Sequence, residues 1–342
     1  MRLVAGNSRF LLLTFCLAMA LSLGGCFTGN LVGGDLPAIA YVVSDEDGAQ
    51  AWVKRPGEDE ASRISSLSAH AKTPRWSPDQ SKIAWISVGN KTELLLYDVN
   101  GGGVTKLVSN VDADQPPVWA PESDRIAYVS DADGEPDIYM VALEGGQKTR
   151  LTFSPERELV GDWSPDGEWL VFTEYGKDGL LLRNPNGVNR IELTAGPDSE
   201  PVWSPKGDRI AFLRSADGPR DVYVLRPTKS DNWADDTDEV AVAEDDHDEF
   251  SVAWSHDGRR LAFVVQFDEQ SEIFSVLVDG SERRQLTQNA ENDLAPVWAA
   301  GEDRIAFVSY AYGNAEILYM NADGTGQMRL TVNDAADTHP DW

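Results

Sequence analysis

Glu200-Pro201-Val202-Trp203-Ser204-Pro205-Lys206-Gly207, followed by Ile210-Ala211-Phe212, is one copy of a text that runs through nearly the whole chain. One period earlier it reads Trp163-Ser164-Pro165-Asp166-Gly167, then Leu170-Val171-Phe172. Its tryptophan recurs as Trp76, Trp119, Trp163, Trp203, Trp254, Trp298 and Trp342, at intervals of 43, 44, 40, 51, 44 and 44 residues. The apolar triplets count independently to the same seven, from Ile39-Ala40-Tyr41 and Ile83-Ala84-Trp85 through Ile126-Ala127-Tyr128 to Leu261-Ala262-Phe263 and Ile305-Ala306-Phe307. A period of roughly 40 to 45 residues holding four strand-sized runs is that of a β-propeller blade. The expected fold is all-β, a seven-bladed propeller of four-stranded antiparallel blades over residues 39–342.

Each residue type in the repeat has a mechanical reason. Proline sets φ for the first corner of a turn, aspartate bonds its own backbone and glycine accepts positive φ, so Ser-Pro-Asp-Gly closes a hairpin between the first and second strands. A large aromatic at one fixed place per blade buries on the order of 150 to 250 Å². The seven tryptophans are therefore expected as structural anchors between blades. The first copy, at Ile39-Ala40-Tyr41, has no Pro-x-Trp ahead of it, and His339-Pro340-Asp341-Trp342 has no second strand behind it. Each supplies what the other lacks, so the last segment is expected to provide the first strand of the blade that begins at Ile39, pairing two sheet edges that would otherwise template aggregation.

Registered over seven copies, this text resembles TolB-like propeller repeats, the WD-repeat-like modules of bacterial envelope proteins and of prolyl oligopeptidase relatives. The resemblance implies the fold, and leaves function to the site. TolB carries an α/β domain ahead of its propeller and the peptidase relatives an α/β-hydrolase domain behind theirs; neither is expected here, nor is a Tol–Pal role. TolB-like propellers of pectin-fragment lyases use histidine-held metal, which implies a carbohydrate-active lyase or hydrolase as the rival activity.

Arg2 and Arg9 precede an uncharged apolar run from Phe10 to Leu23 that is short for a bilayer span, and small residues follow it. Leu23-Gly24-Gly25-Cys26 resembles the bacterial lipobox. The expectation is a lipoprotein signal peptide over 1–25, lipidation at Cys26, a Gly-rich tether over 26–38, and attachment to a bacterial membrane outside the cytoplasm. The only other cysteine, Cys16, lies within the leader.

The chain carries 29 Lys and Arg against 57 Asp and Glu, a formal net charge of −28. Nucleic acid is therefore excluded as a partner and bare anionic lipid disfavoured. The repeat register places basic residues, Arg150, Arg190, Arg283 and Arg329 among them, by the first-to-second and third-to-fourth turns. The acids fall on the opposite face. The candidate binding face there comprises Asp112, Asp114, Asp131, Asp133, Asp198, Glu200, Asp235, Asp236, Glu291, Asp293 and Asp337, with His70 and His339 near one mouth of the channel. The long interval between Trp203 and Trp254 is read as an acidic loop over Thr228 to Glu249 on that same face, where insertions in repeat arrays often mark binding.

None of Gly-x-Ser-x-Gly, His-Glu-x-x-His, Cys-x-x-Cys or a Walker loop occurs. No catalytic residue and no cofactor is assigned. Asp131, Asp133 and Asp137 have oxygen ligands at calcium-like spacing without the closing glutamate, a weak Ca²⁺ candidate. The expected function is a non-catalytic envelope scaffold that binds a protein or peptide, basic ones included, or a glycan. A purely structural subunit of an envelope complex is the third reading.

Overall fold

The computed structural model describes residues 36–186, 190–216, 218–228, 233, 236–301 and 303–342. The expected leader, Cys26, the expected tether up to residue 35 and Asp235 lie outside these. The described residues form seven four-stranded antiparallel sheets and no helix. Their first strands are Ala336–Asp341, His70–Trp76, Val118–Trp119, Glu158–Trp163, Asp198–Trp203, Asp248–Trp254 and Asp293–Trp298. Residues of six of these seven wall a single cavity, so the first strands are the inner ones and the sheets radiate from a central channel.

The second strands carry the apolar triplets and are buried on both faces, as in Ile83, Ala84, Trp85 and Ile86. That explains why they read as continuous apolar runs rather than in alternation. The core is a set of slabs between neighbouring sheets. One joins Ala84, Ile86 and Leu94 of one blade to Trp119, Ile126 and Tyr128 of the next. No blade can bury its own faces, so the ring must be complete to be stable.

Ring closure follows the sequence expectation. Ala336–Asp341 lies antiparallel to Ile39–Asp45, with Ala40 opposite Asp341, Val42 opposite Thr338, Val43 opposite Asp337 and Ser44 opposite Ala336. Trp342 then donates its indole N–H to the Pro37 carbonyl (2.9 Å) and meets Tyr319 edge-on at 6.1 Å between ring centres. The Ser-Pro-Asp-Gly turns close as proposed: Gly167 N–H bonds the Ser164 carbonyl (2.8 Å) with φ 69°. Gln80 and Ser123 hold the same place at φ 56° and 57°, where glycine would be less strained.

The blades are stitched at the channel wall by two kinds of bond. Four indoles donate to a carbonyl of the preceding blade: Trp119 to Arg75 (3.1 Å), Trp163 to Val118 (3.3 Å), Trp254 to Val202 (3.0 Å) and Trp298 to Ala253 (3.2 Å). Among the described residues the indole nitrogens of Trp76 and Trp203 are buried without a partner. At those two seams an aspartate one residue before the preceding blade's tryptophan accepts the backbone N–H instead, Asp341 from Trp76 (2.6 Å) and Asp162 from Trp203 (3.0 Å).

Replacing Trp298 with Phe removes a hydrogen bond as well as ring area, whereas Trp76→Phe removes ring area alone. Urea unfolding should show Trp298→Phe costing about 1 kcal/mol more than Trp76→Phe; equal costs would mean that the indole bonds contribute nothing.

Candidate functional site: the channel and its acidic mouth

Most inner strands contain one extra residue. Register breaks fall between Lys72 and Arg75, Ser199 and Val202, Phe250 and Ala253, and Leu294 and Val297. At each, and again at His339, the residue three before the tryptophan takes a left-handed backbone: Thr73 (φ 46°), Glu200 (50°), Ser251 (55°), Ala295 (50°) and His339 (53°). Such bulges re-aim side chains and concentrate near binding sites. Proline follows four of the five, as Pro74, Pro201, Pro296 and Pro340. That Pro-x-Trp spacing was the sequence signal for the bulge, and sequence reading took it only as part of the repeat.

The cavity on the channel axis holds about 440 Å³, and its wall includes Arg75, Asp162, Glu200, Ser251 and Asp341. Gly161 sits where a Cβ would come within 2.7 Å of Pro201, so that wall closes only with glycine. Asp162 accepts the N–H groups of Trp163 (2.8 Å) and Trp203 (3.0 Å), one on each oxygen. Burial pushes its carboxyl up to about 6, against the pull of those two donors. Burial also raises Asp341, opposed by Arg75 at 3.8 Å and the Trp76 N–H. His339 is held below the usual histidine range by its surroundings and then by Arg75 and Lys72, and so is neutral at pH 7.

Around the mouth the expected acids divide into two groups. Asp112 pairs with Arg157 (2.8 Å) and Asp114 with Lys72 (3.0 Å), both across blade boundaries. Glu200 lies 3.6 Å from Arg220. Asp131 and Glu291 are exposed, and Asp133 accepts the Tyr139 hydroxyl (2.8 Å). Asp198, Asp293 and Asp337 are buried instead. Asp198 takes Arg214 (2.6 Å), while Asn289 and Asn333 donate to Asp293 and Asp337 (2.7 Å each). Asp198 and Asp293 begin an inner strand and Asp337 is the second residue of one, where a carboxylate ties down the blade-to-blade turn ahead of it.

Arg150, Arg190, Arg283 and Arg329 do not stay at the third-to-fourth turns. Their long side chains run along the outer strands to pair with buried Asp137, Glu174, Glu249 and Glu316. Those acids lie at strand ends on the acidic side, so the two faces are less segregated in charge than the register implied. Asp137 is thus committed to Arg150. Among the described residues no group of three or more His, Cys, Asp or Glu is placed to hold a metal. His70 accepts the Ala49 N–H (3.1 Å) at the seam between its blade and the previous one.

The acidic insertion is the clearest correction. Thr237–Ala243 is not loop but the fourth strand of its blade, paired with Asp221–Pro227, because Val240 and Val242 alternate with small or polar residues. The extra length is the third-to-fourth connection, closed where Asp236's carbonyl accepts the Thr228 N–H (2.9 Å). Its two ends, Thr228 and Asp236, therefore lie with the Ser-Pro-Asp-Gly turns, opposite the acidic mouth. Within it Trp233 is buried, edge-on to Trp203 at 4.8 Å. A lone tryptophan amid acids was the available sign that Trp233 packs against the ring.

Comparison with known proteins agrees with this architecture. The sequence model of the TolB beta propeller domain matches residues 32–225 and 201–342. The chain belongs to the TolB β-propeller domain family. It is 33% identical over 144 residues to a protein described as a TolB homolog of Chlorobium luteolum, covering 41% of this chain and 31% of that one. It is 26% identical over 216 residues to Tricorn protease homolog 1 of Streptomyces coelicolor, covering 57% of this chain and 19% of the other. The match thus spans less than a third of either relative. Among solved structures, TolB from Acinetobacter baumannii superposes with a TM-score of 0.59 at 16% identity, over 90% of this chain and 67% of that one. The propeller of the Pyrococcus furiosus Trilobed protease gives 0.67 at 13%, over 89% and 96%; its topology is described as open velcro, whereas here the two end strands are paired. An oligogalacturonate lyase bound to manganese gives 0.67 at 12%, over 83% and 85%. At these identities the likeness is one of fold.

The raised Asp162 carboxyl fixes the sign of a pH effect. A folded value near 6 against an unfolded one near 3.8 means that the folded state holds the proton longer, so stability falls as pH rises between the two and levels off above. Relative to Asp162→Asn, the parent should lose stability from about pH 4 to about pH 6 and then run parallel to it. Thermal melts across this range check it, and a parent that gains stability relative to Asp162→Asn as pH rises would contradict the assignment.

Proposed function

We propose that this chain is an extracytoplasmic binding scaffold, held to a bacterial membrane through lipid on Cys26, that captures a protein or peptide segment at the acidic mouth of its channel without chemistry of its own. The observation that carries this reading is the preformed concavity of about 440 Å³, walled by inner strands of six blades with bulged residues at its edge. Concave, rigid sites lined by few polar groups are the usual places for ligand capture. The wall aspartates are occupied in holding backbone N–H groups, so they serve the frame, while Glu200 and Ser251 remain on the cavity wall. Membership of the TolB family and the lipobox-like Leu23-Gly24-Gly25-Cys26 support an envelope setting, with a protein partner before a glycan.

A photo-crosslinking residue at Glu200, in the full chain in its own envelope, should give a discrete protein adduct, while the same residue at Met328, exposed near the opposite face, should not. Adducts of equal yield from both positions, or none from Glu200, would remove the channel mouth from the account. Cys26→Ser should release the protein from the membrane fraction, and retention there would remove the lipid.

A further inference from the structure

The third residue of each apolar triplet faces a cross-strand partner on the third strand. In two blades that pair is aromatic and capped by a guanidinium. Arg214 stands over Phe212 and Tyr223, 5.1 and 4.8 Å from their ring centres, and is held by Asp198 and Glu239, each at 2.6 Å. Arg283 stands over Phe263 and Phe274, at 5.6 and 5.3 Å, and is held by Asp245 (2.7 Å) and Glu249 (3.0 Å). The fold thus builds the same three-part device twice: paired rings, two carboxylates and an arginine.

The ring-closing blade presents the same pair, Tyr41 opposite Trp52. There a cavity of about 610 Å³ opens on the acidic side, lined by Tyr41, Trp52, Asp45, Glu46 and Asp334. Among the described residues none of these three acids is in an ion pair, and no arginine or lysine stands over either ring. Arg63, the strand neighbour of Trp52, is exposed and does not line the cavity. Tyr41 is only 2% exposed and lines the cavity, its hydroxyl makes no hydrogen bond among the described residues, and the Trp52 indole nitrogen is buried without a partner among them. Among the described residues no side chain takes up the Tyr41 hydroxyl at this cavity wall.

We infer that the Tyr41–Trp52 cavity receives an arginine side chain from a partner protein, a second contact at the blade seam beyond the channel mouth. A guanidinium is planar enough to lie against the rings and has donors enough to fork to Asp45, Glu46 and Asp334 while meeting the Tyr41 hydroxyl. An ammonium would satisfy the charge without the stacking. A neutral sugar would leave three carboxylates uncompensated.

The probe is a blocked tri-arginine peptide, titrated calorimetrically into the full chain beside its tri-citrulline counterpart, which keeps the shape and loses the charge. Tri-arginine should bind and tri-citrulline should not. Asp45→Asn with Asp334→Asn, both at exposed positions, should weaken binding by roughly tenfold with an unchanged melt, the loss of about 1.4 kcal/mol of charge-assisted bonding. Trp52→Leu, which copies the Leu318 of another blade, should weaken it as well. Asp131→Asn with Glu291→Gln removes two exposed acids elsewhere on the same face and should change affinity by less than about twofold. Equal binding of the citrulline peptide, or equal weakening by that control pair, would overturn the proposal. Neither result bears on the crosslink from Glu200, so this site and the channel mouth fail separately.

Discussion

The inner strands meet around the channel as the free edges of their sheets, with backbone polar groups that no further strand pairs, and some of these find partners across the seams. Where an indole reaches back to a carbonyl, the seam is closed by tryptophan, as from Trp119 to Arg75. Where the indole has no such acceptor, an aspartate takes the tryptophan's own N–H, as Asp162 does for Trp203. Both arrangements bind one blade to the next at the smallest radius of the ring, where a small opening would splay the whole blade. The slabs of apolar side chains outside this radius supply most of the burial, and the polar clasps fix which blade faces which and in what register.

That division of labour changes how the acidity of the chain is read. Several carboxylates that look like surface charge in the sequence are frame. Asp198, Asp293 and Asp337 tie turns, Asp162 and Asp341 close seams, and Asp137, Glu249 and Glu316 are covered by arginines from their own blades or the next connection. Buried charges of this kind are tolerated because each is paired or hydrogen-bonded. What is left for a partner is smaller and better placed: the bulged residues at the channel edge and the unpaired acids beside Tyr41 and Trp52.

The fold was readable because it is written many times over. Seven tryptophans and seven apolar triplets in one register leave little choice of architecture, and the unmatched halves at Ile39 and Trp342 located the seam. The site was less readable for physical reasons. A carboxylate on a strand start and one on a loop look alike in sequence, and only packing shows that Asp293 is inside and Glu291 outside. Thr228 to Glu249 misled because its composition is that of a solvated loop, while the alternation within Val240-Ala241-Val242-Ala243 and the single Trp233 carried the contrary signal. The left-handed residues before Pro-x-Trp had a spacing in plain view, but their meaning depends on the partner strand being one residue shorter.

All of this rests on one closed ring, completed by a strand from the far end of the sequence. Deleting Ala336–Trp342 removes the inner strand of one blade, the Trp342 indole and the Asp341 clasp on Trp76 together. The melting transition of that truncated chain is the most direct measurement. The ring account predicts a loss of at least about 3 to 5 kcal/mol, the usual cost of deleting a buried tryptophan alone, seen as a melt well below the parent's. A truncated protein that melts with the parent would show that the blades hold together without the closing strand, and the account of the seams would be wrong.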